Sequence, residues 1–276
     1  MKKRILLLSL ISLACSVHGQ TVVVDTADYR FVYDAQLKTA EDSKKLDTDE
    51  HWLEISKSRV SKYSSHWNDR AMSILDSIKQ VGGDFMESTR IMRAEGVKNI
   101  HFGYSVYKNF PTPGYQTVNY LSLECVQYKE EMGQDWTLLD GDTLTLGYPC
   151  QKAVCNYHGR TWTAWYAPDI PLQDGPWKLC GLPGLIMRAY DDKGEFIFNC
   201  VGIEKSVNNA MTMRKKVTTI AQATKAHKTI EFMENDKDGY MQMKYGSVPK
   251  TIMYDKNGKA SVPAPIKWVM MEHYEE

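Results

Sequence analysis

The sequence predicts a mainly β, α+β fold: a strongly curved antiparallel β-sheet, or half-barrel, with one or two helices packed on it. Three observations predict it. From Val97 to Gly202 the chain is a succession of short strand-like segments separated by turn residues, the pattern of an antiparallel meander. Two segments elsewhere switch to helical spacing. Seven Trp and sixteen Tyr weight the composition towards strands rather than a helical bundle. A two-sheet β-sandwich is the alternative.

Taken in order, Thr21–Ala35 alternates partially through Val22, Val24, Tyr29, Phe31 and Tyr33 and predicts the opening strand. His51–Tyr63 predicts a strand pair or one bent strand. Over Ser64–Val81 the period changes, with Trp67, Ala71, Ile74, Leu75, Ile78 and Val81 at helical spacing. Ser64 or Ser65 is the N-cap and Gly82-Gly83 the stop. The meander strands are Ile100–Tyr107, Thr117–Lys129, Trp136–Leu139, Cys150–Tyr157, Thr161–Tyr166, Leu185–Tyr190 and Glu195–Val201. Asp140-Gly141, His158-Gly159 and Asp191–Gly194 supply turn residues between them. Ala221–Asn235 predicts a second helix, and the tail from Asp236 reads as turns.

Residues 1–19 have the form of a cleavable secretory signal. Lys2, Lys3 and Arg4 precede an apolar run from Ile5 to Ala14, and Val17 and Gly19 set the cut before Gln20. The run is shorter than the roughly 20 residues of a spanning helix. A lipoprotein reading would acylate Cys15, but Ser12 stands where that motif expects Leu. Residues 20–276 then form one β-rich domain, periplasmic or secreted, with outer-membrane association left open. The near-neutral charge gives no electrostatic footprint for nucleic acid.

Export makes disulfides the default for the remaining Cys125, Cys150, Cys155, Cys180 and Cys200, two bridges at most. In a strand, Cys150 and Cys155 would face opposite ways about 17 Å apart. A bridge spans about 7 Å, so they are not each other's partner. Cys180 with Cys200 is one candidate among several.

The distinctive stretch is residues 147–191. Thr161–Tyr166 carries aromatics on both faces, Trp162 and Tyr166 on one and Trp165 on the other, and is expected to be covered on both sides. Pro168, Pro171, Pro176 and Pro183 then fix φ four times within sixteen residues. Pro183-Gly184 suits the centre of a type II turn, with Gly181 in a similar role just before it. The result is a stiff, irregular loop carrying Trp177, Leu179, Leu182 and Leu185.

Gly181-Leu182-Pro183-Gly184-Leu185-Ile186 resembles the hexapeptide that names the GLPGLI family of proteins exported by Bacteroidota, and the upstream GY-CQKA, HGRTWTAWYAPDIP and GPWK segments are similar to the rest of its core. The resemblance implies a secreted or periplasmic location and carries no settled activity. Leu179 stands where the family often has Phe, and Cys155 and Cys180 are not family positions.

Two readings of the loop follow. In one, Trp177, Leu182 and Leu185 pack back over the sheet as a plug. In the other they form a hydrophobic lip for an apolar ligand or an envelope protein partner, with Arg160, Trp165, Asp169 and Pro183 beside them. Arg160, Asp169, Asp174 and Lys178 surround the loop, and an Arg–Asp pair would pin it or face a bound anion. Catalytic and metal signatures are missing: no HExxH, GxSxG, CxxC or P-loop occurs. The run Glu234–Gly239 opens like a calcium loop, but Tyr245 stands where a bidentate Glu would be needed. His158 is expected at the surface, in its turn. No cofactor is implied. The function these features favour is non-enzymatic binding, on a half-barrel similar in shape to lipoprotein carriers. The alternatives are a secreted hydrolase using Arg160, Asp169 and Asp174, and redox or metal handling through the odd cysteine.

Overall fold

A computed structural model describes residues 21–98, 102–246, 253–254, 260–261 and 267–274. The expected signal segment, residues 1–19, lies outside the described residues. Twelve strands form one open, curved sheet: β1 (Thr21–Leu37), β2 (Asp47–Ser56), β3 (Ser61–Ser65), β4 (Tyr104–Lys108), β5 (Tyr115–Leu121), β6 (Cys125–Glu131), β7 (Thr137–Thr145), β8 (Tyr148–Tyr157), β9 (Arg160–Ala167), β10 (Leu185–Asp191), β11 (Phe196–Arg214) and β12 (Thr218–Thr219). Their spatial order is β12-β6-β5-β4-β3-β2-β1-β11-β10-β9-β8-β7, and only the β12–β6 pairing is parallel. A separate two-stranded pair joins β13 (Met253–Tyr254) to β14 (Ala260–Ser261). The mainly β, half-barrel architecture is therefore present, as one sheet and not a sandwich, and it does not close into a barrel.

Curvature brings strands that are not neighbours in that order into contact, across one intervening strand in one case and across most of the sheet in the other. Gln116 on β5 donates from Nε2 to the Tyr157 hydroxyl on β8 at 3.2 Å, and the Tyr33 hydroxyl on β1 donates to the Ile186 carbonyl on β10 at 2.7 Å. The concave side is lined by alternating residues of each strand, among them Phe31, Leu53, Tyr63, Val106, Val118, Tyr128, Trp162 and Phe198. Across β8, β9, β10 and β11 the register places Ala153, Ala164, Ala189 and Phe198 in one row. Three alanines in line leave a trough on the concave face, and the proline-rich segment 168–184 fills it.

That segment is buried on its inner face. Trp177, Leu179, Leu182 and Leu185 are all at most 1% exposed. Trp177 holds φ at +51°, a conformation that costs a non-glycine residue on the order of 1–3 kcal/mol and persists where packing enforces it. Its ring lies 5.4 Å from Trp162, 5.8 Å from Tyr157 and 6.5 Å from Tyr104, centroid to centroid. Of the two readings of the loop, packing over the sheet is the arrangement seen.

Among the described residues there are four helices: α1 (His66–Gln80), α2 (Phe85–Ala94), α3 (Ala223–Asn235) and α4 (Lys237–Tyr245). Ser65 caps α1, accepting from the Asn68 N–H at 3.1 Å. α2 was not expected, because Phe85 and Met86 point to solvent and only Ser88 is buried, so no inward apolar stripe marks it. α4 corrects the turn-rich tail: Asp236 caps it by accepting from Gly239 N–H, which makes the calcium-like run a helix start. Asp140-Gly141, expected as a turn, is instead a bulge within β7, with two extra residues between Leu139 and Asp142. Thr117–Lys129 divides into β5 and β6.

The Pro183-Gly184 expectation also changes. Gly181 takes the left-handed conformation, at φ +90°, whereas Gly184 does not. Gly184 is required by proximity: a Cβ there would lie 2.2 Å from the Ala167 carbonyl oxygen. Gly184→Ala is expected to cost about 3 kcal/mol or more by overpacking against backbone. The exposed Pro183→Ala should shift stability by less than about 1 kcal/mol. Urea denaturation of the two variants measures the difference.

Candidate functional site

The loop is held from beneath by one ammonium group. Lys108, at the end of β4, is fully buried, and its Nζ donates to Asp174 Oδ1 at 2.6 Å, to the Gly175 carbonyl at 2.7 Å and to the Leu179 carbonyl at 3.1 Å. Three donors meet three acceptors, which is the capacity of a lysine head group. Asp174 also accepts from the Gly175 N–H at 2.7 Å. Breaking such a buried pair from one side costs about 3–5 kcal/mol.

With its inner face fixed, the loop presents alternate residues outward. Pro168, Asp169, Pro171, Gln173, Gly181 and Pro183 are exposed. Two concavities flank this ridge at one mouth of the half-barrel. The first, about 340 Å³, is lined by Tyr29, Phe31, Tyr148, Asp169, Ile170 and Ile203. The second, about 580 Å³, is lined by Ile55, Asn109, Met132, Gln173, Gly181 and Pro183. Arg59, Pro171 and Leu172 line both, and Arg59 Nη1 donates to the Pro171 carbonyl at 3.4 Å on the divide.

The residues expected at a loop site are therefore dispersed. Asp169 and Pro183 line the two concavities, and Trp177, Leu182 and Leu185 form the packed layer beneath. Trp165 lies half-buried on the convex face, with the Lys152 ammonium 5.8 Å from its ring. That face of β9 is only partly covered, since Thr161 is exposed. Arg160 pins a different segment from the one expected. It pairs with Asp191 at 2.6 Å and Glu195 at 2.8 Å, and donates to the Met270 and Met271 carbonyls at 2.7 and 3.1 Å. Arg160, Asp169 and Asp174 do not converge.

Residues 267–274 cross the opposite end of the interior, from Thr39, whose carbonyl accepts from Val269 N–H, to the β8–β9 turn, where His273 N–H donates to the His158 carbonyl. They deliver Glu272 into a buried polar cluster that the sequence did not disclose. Lys178 Nζ meets Glu130 at 2.5 Å, Glu272 at 2.8 Å and the Tyr128 hydroxyl at 2.9 Å. The Tyr274 hydroxyl lies 2.9 Å from both carboxylates. His158, expected at the surface, is half-buried 3.5 Å from Glu130, and His227 Nδ1 lies 4.0 Å from Glu272. These carboxylates are spent on one another's partners and line neither concavity. A second buried set, Asp49–His51–Tyr63, joins at 3.0 and 2.7 Å within the core.

Among the described residues no disulfide is present: Cys125, Cys150, Cys155, Cys180 and Cys200 are free and buried. The expected bridges are not formed. Burial pushes Cys155 and Cys200 up to about 12 and Cys125 to about 11, which keeps them protonated and unreactive. Among the described residues no group of three or more His, Cys, Asp or Glu could hold a metal ion, and no helix is long and apolar enough to cross a membrane.

Comparison with known proteins assigns no activity. A family model described as a protein of unknown function, Porph_ging, matches residues 98–188, which takes in the loop and the strands on either side of it. No curated protein matches. Two solved structures of PNGF-II, in C2 and P21 space groups, are similar to this chain at TM-scores of 0.44 and 0.43, with 16% and 14% identity. Each match covers 76% of this chain, but this chain spans only about a third of theirs, 32% and 33%.

The polar cluster predicts two acid transitions. Burial pushes Glu130 up, but Lys178 and His158 outweigh it and bring it down to about 2 from 4.5. Its contribution to stability is complete above 4.5 and lost as pH falls towards 2. Burial holds His227 below 6.5 despite Glu272, so stability also falls as pH drops through 6.5 towards its folded value. Glu130→Gln should flatten the lower limb of urea midpoint against pH and His227→Asn the upper one.

Proposed function

We propose that this chain is an exported, non-enzymatic envelope protein of the GLPGLI type that takes an apolar ligand at the mouth of its half-barrel. The observation that carries this reading is the outer face of the proline-rich loop, fixed by Lys108 from beneath and set between concavities of about 340 and 580 Å³. Most such sites are concave, preformed and apolar with a few polar groups at the rim. Here Tyr29, Phe31, Ile170, Leu172 and Ile203 supply the apolar wall, and Asp169 and Arg59 stand among the lining residues. Pro183 extends the ridge, and Trp177, Leu182 and Leu185 support it as packing. An apolar side chain of an envelope protein partner is the other occupant of the same chemistry.

The hydrolase alternative gains no support, since Arg160 is paired with Asp191 and Asp174 with Lys108, and neither pair includes Asp169. Export follows from the N-terminal pattern, and N-terminal sequencing of the envelope fraction should begin at Gln20.

Binding of the apolar fluorophore 1-anilinonaphthalene-8-sulfonate to the native protein tests the site. Ile170→Glu places a carboxylate in the first concavity and is expected to weaken binding about tenfold, while the far-UV spectrum is unchanged. Unaltered binding by this variant would remove the reading.

A further inference from the structure

The sheet has two edges, and the chain treats them differently. At one, the two-residue β12 lies along β6 and α3 packs beside it. At the other, β7 runs for nine residues and pairs on one side only, with β8. Among the described residues nothing pairs with its outer edge. All of β7 except Thr145 is exposed, and Leu138, Leu139 and Leu144 are 58%, 41% and 69% exposed. An edge of that length offers unpaired N–H and C=O groups to an added strand.

The side chains say what kind of strand would fit. Leu138, Asp142 and Leu144 stand opposite Ala153, Gln151 and Pro149 of β8, positions spaced by two. By strand alternation, the three therefore share one face. The intervening Asp140-Gly141 bulges out, and a Cβ on Gly141 would lie 3.5 Å from the Trp165 ring. Neither Asp140 nor Asp142 has an ion-pair or hydrogen-bond partner among the described residues, and β7 contains no cation. The edge thus reads apolar, acidic, apolar along one face. Its complement is a strand that is apolar, basic, apolar at alternate positions.

A second copy of the chain does not meet that requirement. With the Asp140-Gly141 bulge outside the ladder, antiparallel pairing of two β7 strands that matches Leu138 with Leu144 would set Asp142 against Asp142 of the other copy, and like charges directly opposite are destabilising. We propose that β7 is a docking edge for a partner protein, which adds an extended segment carrying Lys or Arg between two apolar residues at alternate positions. The backbone supplies the affinity, and the Leu–Asp–Leu face selects the sequence.

The probe is the peptide Ser-Thr-Leu-Thr-Lys-Thr-Leu-Thr-Ser, labelled for fluorescence anisotropy, with amide hydrogen exchange read on the full chain. The peptide is expected to slow exchange across residues 137–145. Replacing its Lys by Glu should weaken binding by about fivefold, the upper scale of one cross-strand pair, and Asp142→Lys should reverse that preference. A second variant, Leu138→Ser with Leu144→Ser, should weaken both peptides alike. The proposal is overturned if β7 amides gain no protection. It is equally overturned if a peptide of the same charge with Pro at alternate positions binds as well. Protection of β7 that appears without peptide and rises with protein concentration would assign the edge to self-association instead.

Discussion

The architecture depends on a single buried ammonium. Lys108 on β4 engages a carboxylate and two carbonyls of the loop between β9 and β10, so it joins the two arms of the curved sheet through the segment that fills it. A lysine taken out of water is costly, and only complete hydrogen bonding with an opposite charge offsets that cost. The loop must therefore keep Asp174, Gly175 and Leu179 at fixed positions. Its prolines restrict the unfolded chain, and the ammonium selects one conformation of the folded one.

Around that contact the aromatic layer of Trp162, Trp177, Tyr157 and Tyr104 is closed over by the loop, whose other face is free to form a surface. Beside that layer the segment 267–274 closes the interior with Glu272, which meets Lys178 of the loop, with Tyr274 and with the carbonyls that Arg160 binds. In both sets the charged groups are paired internally, which gives them a structural role in holding irregular backbone against strands. Polar groups left for recognition lie at the mouth, beside Arg59 and Asp169, and along β7.

Much of the fold was legible. Alternation located β1, β8, β9 and β10, and helical spacing with a serine cap located α1, because each of these elements has one wet and one dry face. Legibility failed where that contrast is weak. β7 is exposed on both faces, so only its start was located, within Trp136–Leu139, and its continuation past Asp140-Gly141 was not, while α2 turns its phenylalanine to solvent and carries no burial pattern. The stiff loop and its apolar corners were visible in the spacing of Pro168, Pro171, Pro176 and Pro183. Its charged partners were not. Lys108, Glu130 and Glu272 are separated by tens of residues from the loop atoms they meet, and no local signal marks a lysine that will be buried.

The sequence by itself determined the class of fold, the strand-rich meander and the rigidity of residues 168–184, because φ restriction and side-chain alternation are properties of neighbours in the chain. Only the tertiary structure decided which face of the loop is buried, which ion pairs form, that the described cysteines are buried as free thiols and that β7 ends the sheet. Those outcomes depend on how far the sheet curls and what its row of alanines leaves room for, and curvature is a sum over twelve strands that no single segment encodes.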